Sequence, residues 1–221
     1  MTGAGGHDRL DAATSEFALS LDLTSSARPV LHRRDGWIDY GPAGGSYYYS
    51  RPRMSARGTL TLGAQEMTVD GTAWFDHQWG DFIALGGGGW DWFAVNLDDG
   101  SDLMLWQVRA ADGSHPLSYG TLARPDGSTV SLEAGQFSIT GRGSWTSPTT
   151  AITYPAAWRL ELPREQLIID LAPTVADQEL DTRPSSGVIY WEGSQTVTAT
   201  KAGQPLGGQA YVELTGYVAA R

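Results

Sequence analysis

The stretch Trp74-Phe75-Asp76-His77-Gln78-Trp79-Gly80 sets a carboxyl, an imidazole and an amide among three aromatic rings. Read as a strand, it turns Phe75, His77 and Trp79 to one face and Trp74, Asp76 and Gln78 to the other. His77 has a ring at both i−2 and i+2, a setting in which an imidazole serves as acid, base or hydrogen-bond anchor near neutral pH. A half-buried His satisfied by a backbone carbonyl fits the same pattern. A second stretch, Gly89-Trp90-Asp91-Trp92-Phe93, alternates Trp90 and Trp92 against Asp91 and Phe93. Desolvation beside Phe93 would raise the Asp91 pKa and make it a proton donor. Acceptance of N–H groups from the adjoining Gly86–Gly89 run is the equally open structural role.

Near the C-terminus, Tyr190-Trp191-Glu192-Gly193 and the run from Tyr211 to Tyr217 read as the arms of one hairpin turning near Ala202 and Gly203. That register puts Glu192 opposite, or nearly opposite, Glu213. Two carboxylates so close resist double ionisation, so one pKa should rise unless Arg51, Arg53 or Arg57 supplies a cation. A buried structural network is the competing role. In Ser46-Tyr47-Tyr48-Tyr49-Ser50, Tyr48 alternates against Tyr47 and Tyr49, so at least one phenol points inward. His7, His32, His77 and His115 show no metal-ligand spacing, and neither HExxH nor a GxSxG elbow occurs. No metal site is expected. The Gly run precedes neither Lys-Ser/Thr nor a helix, so it is not a phosphate loop.

The elements that carry these residues read as strands. From Phe17, the run FALSLDLT alternates strictly, and strand-like runs recur to the C-terminus. LDDGS, ADGS and PDGS separate three of them, and Asp-Gly between alternating runs is a strong hairpin signal. No helical apolar period persists for three turns. Residues 1–16 are small, polar and aperiodic and read as a flexible tail. The fold expected is an all-β antiparallel barrel or sandwich, whose nine Trp suit a barrel enclosing an apolar ligand cavity. The chain of 221 residues carries 15 Lys plus Arg against 25 Asp plus Glu, a formal charge of −10, which argues against nucleic acid as a partner. With no Cys, thiolate chemistry, disulfides and iron–sulfur clusters are excluded. No apolar run spans a membrane, and the start lacks an apolar h-region, so no signal peptide is read and a cytoplasmic site is the default expectation.

SYYYSRPRM, RGTLTL, VDGTAWFDHQWG, GWDWFAVNLDDG, WTSP, YWEG and YVELTGY, in that order between Phe17 and Tyr217, resemble the AttH family. This lipocalin-like group includes carotenoid 1,2-hydratase (CrtC), kievitone hydratase and fungal pericyclases. The resemblance implies two packed lipocalin-like β-barrels and a hydrophobic ligand of isoprenoid or polyketide type, without cofactor or metal. Family members are usually longer, so residues 17–78 would hold part of the first barrel and residues 79–221 a complete second one. A second copy or a separate chain would then complete the first. The activity implied is addition of water to a C=C bond; a pericyclase of natural-product biosynthesis or a non-catalytic carrier are the alternatives. Hydration needs a protonated carboxyl, aromatic faces for the cation and a base. Asp76 or Asp91 is the candidate acid and His77 the group that orders water or takes a proton. Tyr48, Tyr49, Trp74, Trp79, Trp90, Trp92, Tyr190, Glu192 and Glu213 are the candidate ligand contacts.

Overall fold

The computed structural model describes residues 1–25, 27–41, 44–81 and 87–218. Their regular structure is almost entirely antiparallel strand, interrupted by one short 3-10 turn at Pro163–Glu165. The first sheet holds β1 (Thr2–Ala4), β2 (His7–Ala13), β3 (Phe17–Thr24), β4 (Val30–Leu31), β5 (Trp37–Asp39), β6 (Gly45–Leu62) and β7 (Gln65–Gly80). β6 is its spine. One edge of β6 pairs in turn with β3, β4 and β5, and the other pairs with β7. Residues 1–16 are therefore not a free tail. His7–Ala13 pairs along β3, and Leu10 packs on the Leu23, Met54 and Ala56 cluster. The signal was faint because HDRLDAA offers a single large apolar side chain.

The second sheet holds β8 (Gly87–Leu97), β9 (Asp102–Ala110), β10 (Leu117–Ala123), β11 (Thr129–Glu133) and β12 (Ser138–Arg142). After a two-stranded ribbon of β13 (Trp145–Thr146) and β14 (Thr153–Tyr154) come β15 (Ala157–Leu162), β16 (Leu167–Pro173), β17 (Glu179–Asp181), β18 (Ile189–Lys201) and β19 (Gln204–Thr215). Its order is β11-β10-β9-β8-β19-β18-β16-β15-β12, with β17 pairing on β18. The first and last strands of this path, β11 and β12, are joined by residues 134–137 alone. That short link draws the two edges together, so the sheet curls like a lipocalin around one core. Trp158, Trp191, Phe93, Leu105, Ile169 and Leu214 fill that core. The change of sheet falls between Gly80 and Gly87, and the joining segment 82–86, with Gly86 of the glycine run and Pro42, lies outside the described residues.

The three Asp-Gly turns are built alike. The Asp99, Asp112 and Asp126 carboxylates each accept the backbone N–H two residues on, from Ser101, Ser114 and Ser128. Gly100, Gly113 and Gly127 take φ of 84°, 81° and 82°, where a Cβ would be strained. The sheets meet where β5 and β6 lie over the outer face of β9 and β10. Ile38, Tyr48, Met104, Trp106, Val108 and Tyr119 form that seam. β8, β9 and β10 are consequently buried on both faces over much of their length.

Candidate functional site

A cavity of about 670 Å³ opens along this seam, between the first sheet and the outer wall of the second. Buried apolar side chains fill the inside of the second sheet's curl, and this cavity lies between the two sheets, where the sequence led us to expect one inside a barrel. Strand register explains the wall. Across β10, β9, β8, β19 and β18, the residues Tyr119, Trp106, Trp92, Glu213 and Glu192 stand directly opposite one another in sequence. Directly paired residues share a face, so this rung points outward as a unit. Trp90 stands one step along the same face. Opposite, β6 and β7 contribute Tyr48, Asp76 and Gln78. Arg183, Gly187, Val188 and Ile189 form a rim, with Arg183 tied to Asp181 by two hydrogen bonds of 2.9 and 2.6 Å.

Asp76 is the most heavily bonded group in the cavity. Its Oδ1 accepts from the Ser50 hydroxyl and, at 2.7 Å, from Trp74 Nε1, while its Oδ2 accepts from the Tyr48 hydroxyl. Tyr48 in turn accepts from Trp92 Nε1 at 2.9 Å, which links the two walls. Asp76 is exposed and lines the cavity. Local desolvation of its carboxyl pushes the pKa up, against the opposing pull of its three donors.

Glu213 accepts from Trp90 Nε1 at 2.7 Å. Burial, with the Glu192 and Asp76 charges adding to it, raises its pKa to about 7; the Trp90 bond offsets part of this. The hairpin that places it turns at Ala202 and Gly203, with Glu192 paired directly to Glu213 as the sequence implied. None of the three arginines considered for the pair approaches it. Arg53 bonds Asp102, Arg57 bonds Asp70, and Arg51 bonds the Ala27 carbonyl.

The other expected residues are dispersed. Asp91 lies on the opposite face of β8 from Trp90 and Trp92, where it is buried, 3.3 Å from Arg109 and bonded by the Tyr217 hydroxyl. Burial raises its pKa, and the Arg109 charge opposes that. His77 and Trp79 face away from the cavity because they alternate with Asp76 and Gln78 along β7, and Tyr49, paired directly with His77, turns the same way. They stack instead with Phe75 and Tyr47 on the far face of the first sheet. Of the remaining candidates, Tyr48, Trp90, Trp92 and Glu213 line the cavity. Trp74 donates to Asp76, Tyr190 stands beside Trp90, and Glu192 stands beside Glu213 on the same face. Sequence reasoning missed Trp106, Gln78, Arg183 and Tyr217 in the lining, and the buried His32 and Ser50 behind it. Gln78 carried a signal, since it shares parity with Asp76. Among the described residues, no group of three or more His, Asp or Glu is placed to hold a metal ion.

Two curled antiparallel sheets with an aromatic, acid-bearing cavity at their seam define a lipocalin-like β-protein. The AttH-like family profile matches residues 1–217, and the chain belongs to that family. A crystal structure from Nitrosomonas europaea, of a protein assigned as AttH, superposes with a TM-score of 0.86 at 36% identity over 96% of this chain. Kievitone hydratase from Nectria haematococca superposes at 0.82 with 20% identity over the same share, a likeness of fold. The dehydratase asqC of Emericella nidulans is 24% identical over 180 residues, 77% of this chain. The chain spans about half the length of that dehydratase and 65% of each of the two solved structures.

Proposed function

We propose that the seam cavity binds an apolar small molecule of isoprenoid or polyketide type and adds water to, or removes it from, a carbon–carbon bond without a cofactor. The observation that carries this reading is the presence of two carboxyls, Asp76 and Glu213, facing one aromatic-walled cavity with pKa values raised by burial. Environments that keep one carboxyl protonated beside another able to ionise are how a fold assigns acid and base. Glu213, half-protonated near pH 7, is the donor. Asp76, braced by three hydrogen-bond donors, is the acceptor. In hydration, Glu213 gives its proton to one alkene carbon, and the cation forms at the other beside Trp90 and Trp92. Water then bonds to that carbon and passes a proton to Asp76. Dehydration runs the same steps backward. The hydratase and dehydratase among the relatives support the choice of reaction.

The test is incubation with isoprenoid alkenes and the matching tertiary alcohols in 18O-water, read by mass. Glu213→Gln and Asp76→Asn should each lower turnover about 100-fold or more, the usual weight of a general acid or base. His77→Ala and Asp91→Asn, off the cavity, should spare the chemistry. Full turnover in both carboxyl variants would move the reading to a cyclase that needs only a shaped cavity, and binding without turnover would make the protein a carrier.

The far face of the first sheet also requires a partner in this reading. A second copy of the chain, or a separate polypeptide, covers that face.

A further inference from the structure

His32 lies outside the cavity lining and has no part in the mechanism above, yet it is fully buried at the seam between the sheets. Its Nδ1 stands 3.0 Å from the Thr121 hydroxyl on β10 and its Nε2 2.7 Å from the Ser50 hydroxyl on β6. The ring also tilts against Tyr48, with centroids 4.2 Å apart. Ser50 has a single hydroxyl proton, and it donates that proton to Asp76 Oδ1. Its contact with His32 must therefore run the other way, with Nε2–H donating. Nδ1 is then bare and accepts from Thr121. The network thus sets the tautomer and ends on a cavity carboxylate.

We infer that His32 is a positioning residue: through Ser50 it fixes how the Asp76 carboxylate is presented to a molecule in the cavity. This rests on the reading of Asp76 as an acid–base group. Oδ1 receives two donors, from Ser50 and Trp74, whereas Oδ2 receives Tyr48 alone. A carboxylate has about four acceptor positions, so Oδ2 keeps the capacity for substrate or water. A chain of polarised hydrogen bonds holds its terminal acceptor more firmly than a lone hydroxyl does. Without the His32 donor, Ser50 is free to rotate away, Asp76 loses support for its charged form, and its pKa rises further. Burial drives the His32 pKa down to about 3, so the ring remains a neutral, fixed donor across the working range. The other ionisable groups around the network are Tyr48 and Tyr119, both raised by burial, Arg33 over the Tyr119 ring, and Glu213 facing Asp76 from β19.

The experiment needs no substrate. Protein labelled with 15N-His and 13C-carboxyl Asp is titrated by NMR, with Asp76→Asn used to assign the Asp76 signal. In the wild type, His32 should show a protonated Nε2 and a bare Nδ1 down to about pH 4. In Ser50→Ala and His32→Leu, the Asp76 midpoint should rise by about 0.5–1 on the pH scale, and by less in His32→Gln, which keeps a donor. Thermal unfolding establishes that each variant is folded. An Nδ1-protonated ring in the wild type overturns the inference. So does a folded His32→Leu protein in which Asp76 titrates as in the wild type while Ser50→Ala moves it, or a folded His32→Gln protein that shifts Asp76 more than His32→Leu does. If Asp76→Asn turns over substrate at the full rate, the acid–base reading fails, and that failure is separate from the titration result.

Discussion

Glu213 couples the site to stability in a way that can be measured at the level of one side chain. Its pKa is about 7 in the folded protein, against an ordinary 4.5. Between those values the folded state holds a proton that the unfolded chain has released. Stability therefore falls as pH rises through that window, and the full cost of ionising Glu213 is present above pH 7. Glu213→Gln removes this term. The variant should match the wild type near pH 4 and exceed it at pH 8 by on the order of 2 kcal/mol, roughly 4–8 °C in Tm, after allowance for partial exposure. A variant equally stable at pH 4 and no better at pH 8 would show that water reaches this carboxyl freely. That Glu192 and Glu213 would meet was legible, because a hairpin centred on Ala202 and Gly203 fixes every pair along its arms. That Asp76 and His77 cannot share a cavity was also legible, since adjacent strand residues point apart. Which of the two faces the second sheet was not. That depends on β6 and β7 packing over β8–β10, a long-range choice that aromatic residues on both faces of β7 leave open.

At the scale of elements, the site depends on close backbone approach where β8 begins. Gly89 has φ of 92°, and a Cβ there would lie 2.2 Å from the Thr215 carbonyl oxygen. Gly88 would collide with the Arg109 carbonyl, and Gly216 with that of Gly88. These contacts let β8, β9 and the end of β19 converge, so that the Trp90 backbone N–H donates to Thr215 Oγ1 and its ring N–H donates to Glu213. The glycine run is thus, in its described part, a packing device. Gly89→Ala should cost about 2–4 kcal/mol, from strain and displacement together. Gly127→Ala, at φ of 82° with open space around it, should cost only about 1 kcal/mol. Urea unfolding of the two variants separates the effects, and equal losses would mean that the β8 entry yields without strain. The Gly127 turn could be read from Asp-Gly alone, because turn chemistry is local. The role of Gly89 could not, because its neighbours Thr215 and Gly216 lie over 120 residues away in the chain.

At the scale of the molecule, the two faces of the first sheet have different fates. One packs on the second sheet and carries Tyr48, Ser50 and Asp76. The other gathers Phe17, Trp37, Tyr47, Leu62 and Trp79, each more than 40% exposed. Beyond its pairing with β6, the sixteen-residue strand β7 has no second ladder among the described residues. An exposed aromatic face beside a long open edge favours strand pairing with another chain. Charge opposes this, since two chains each near −10 repel at low salt, and screening shortens that repulsion to about 10 Å at 0.1 M. The isolated chain should therefore self-associate, more strongly as salt rises, and Trp79→Lys or Tyr47→Lys on that face should reverse it while leaving the seam cavity intact. Light scattering coupled to gel filtration reads the mass, and Trp fluorescence on adding an apolar ligand reads the cavity. A monomer that persists at high protein concentration and high salt would count against strand completion by a second copy and leave a separate polypeptide as the partner.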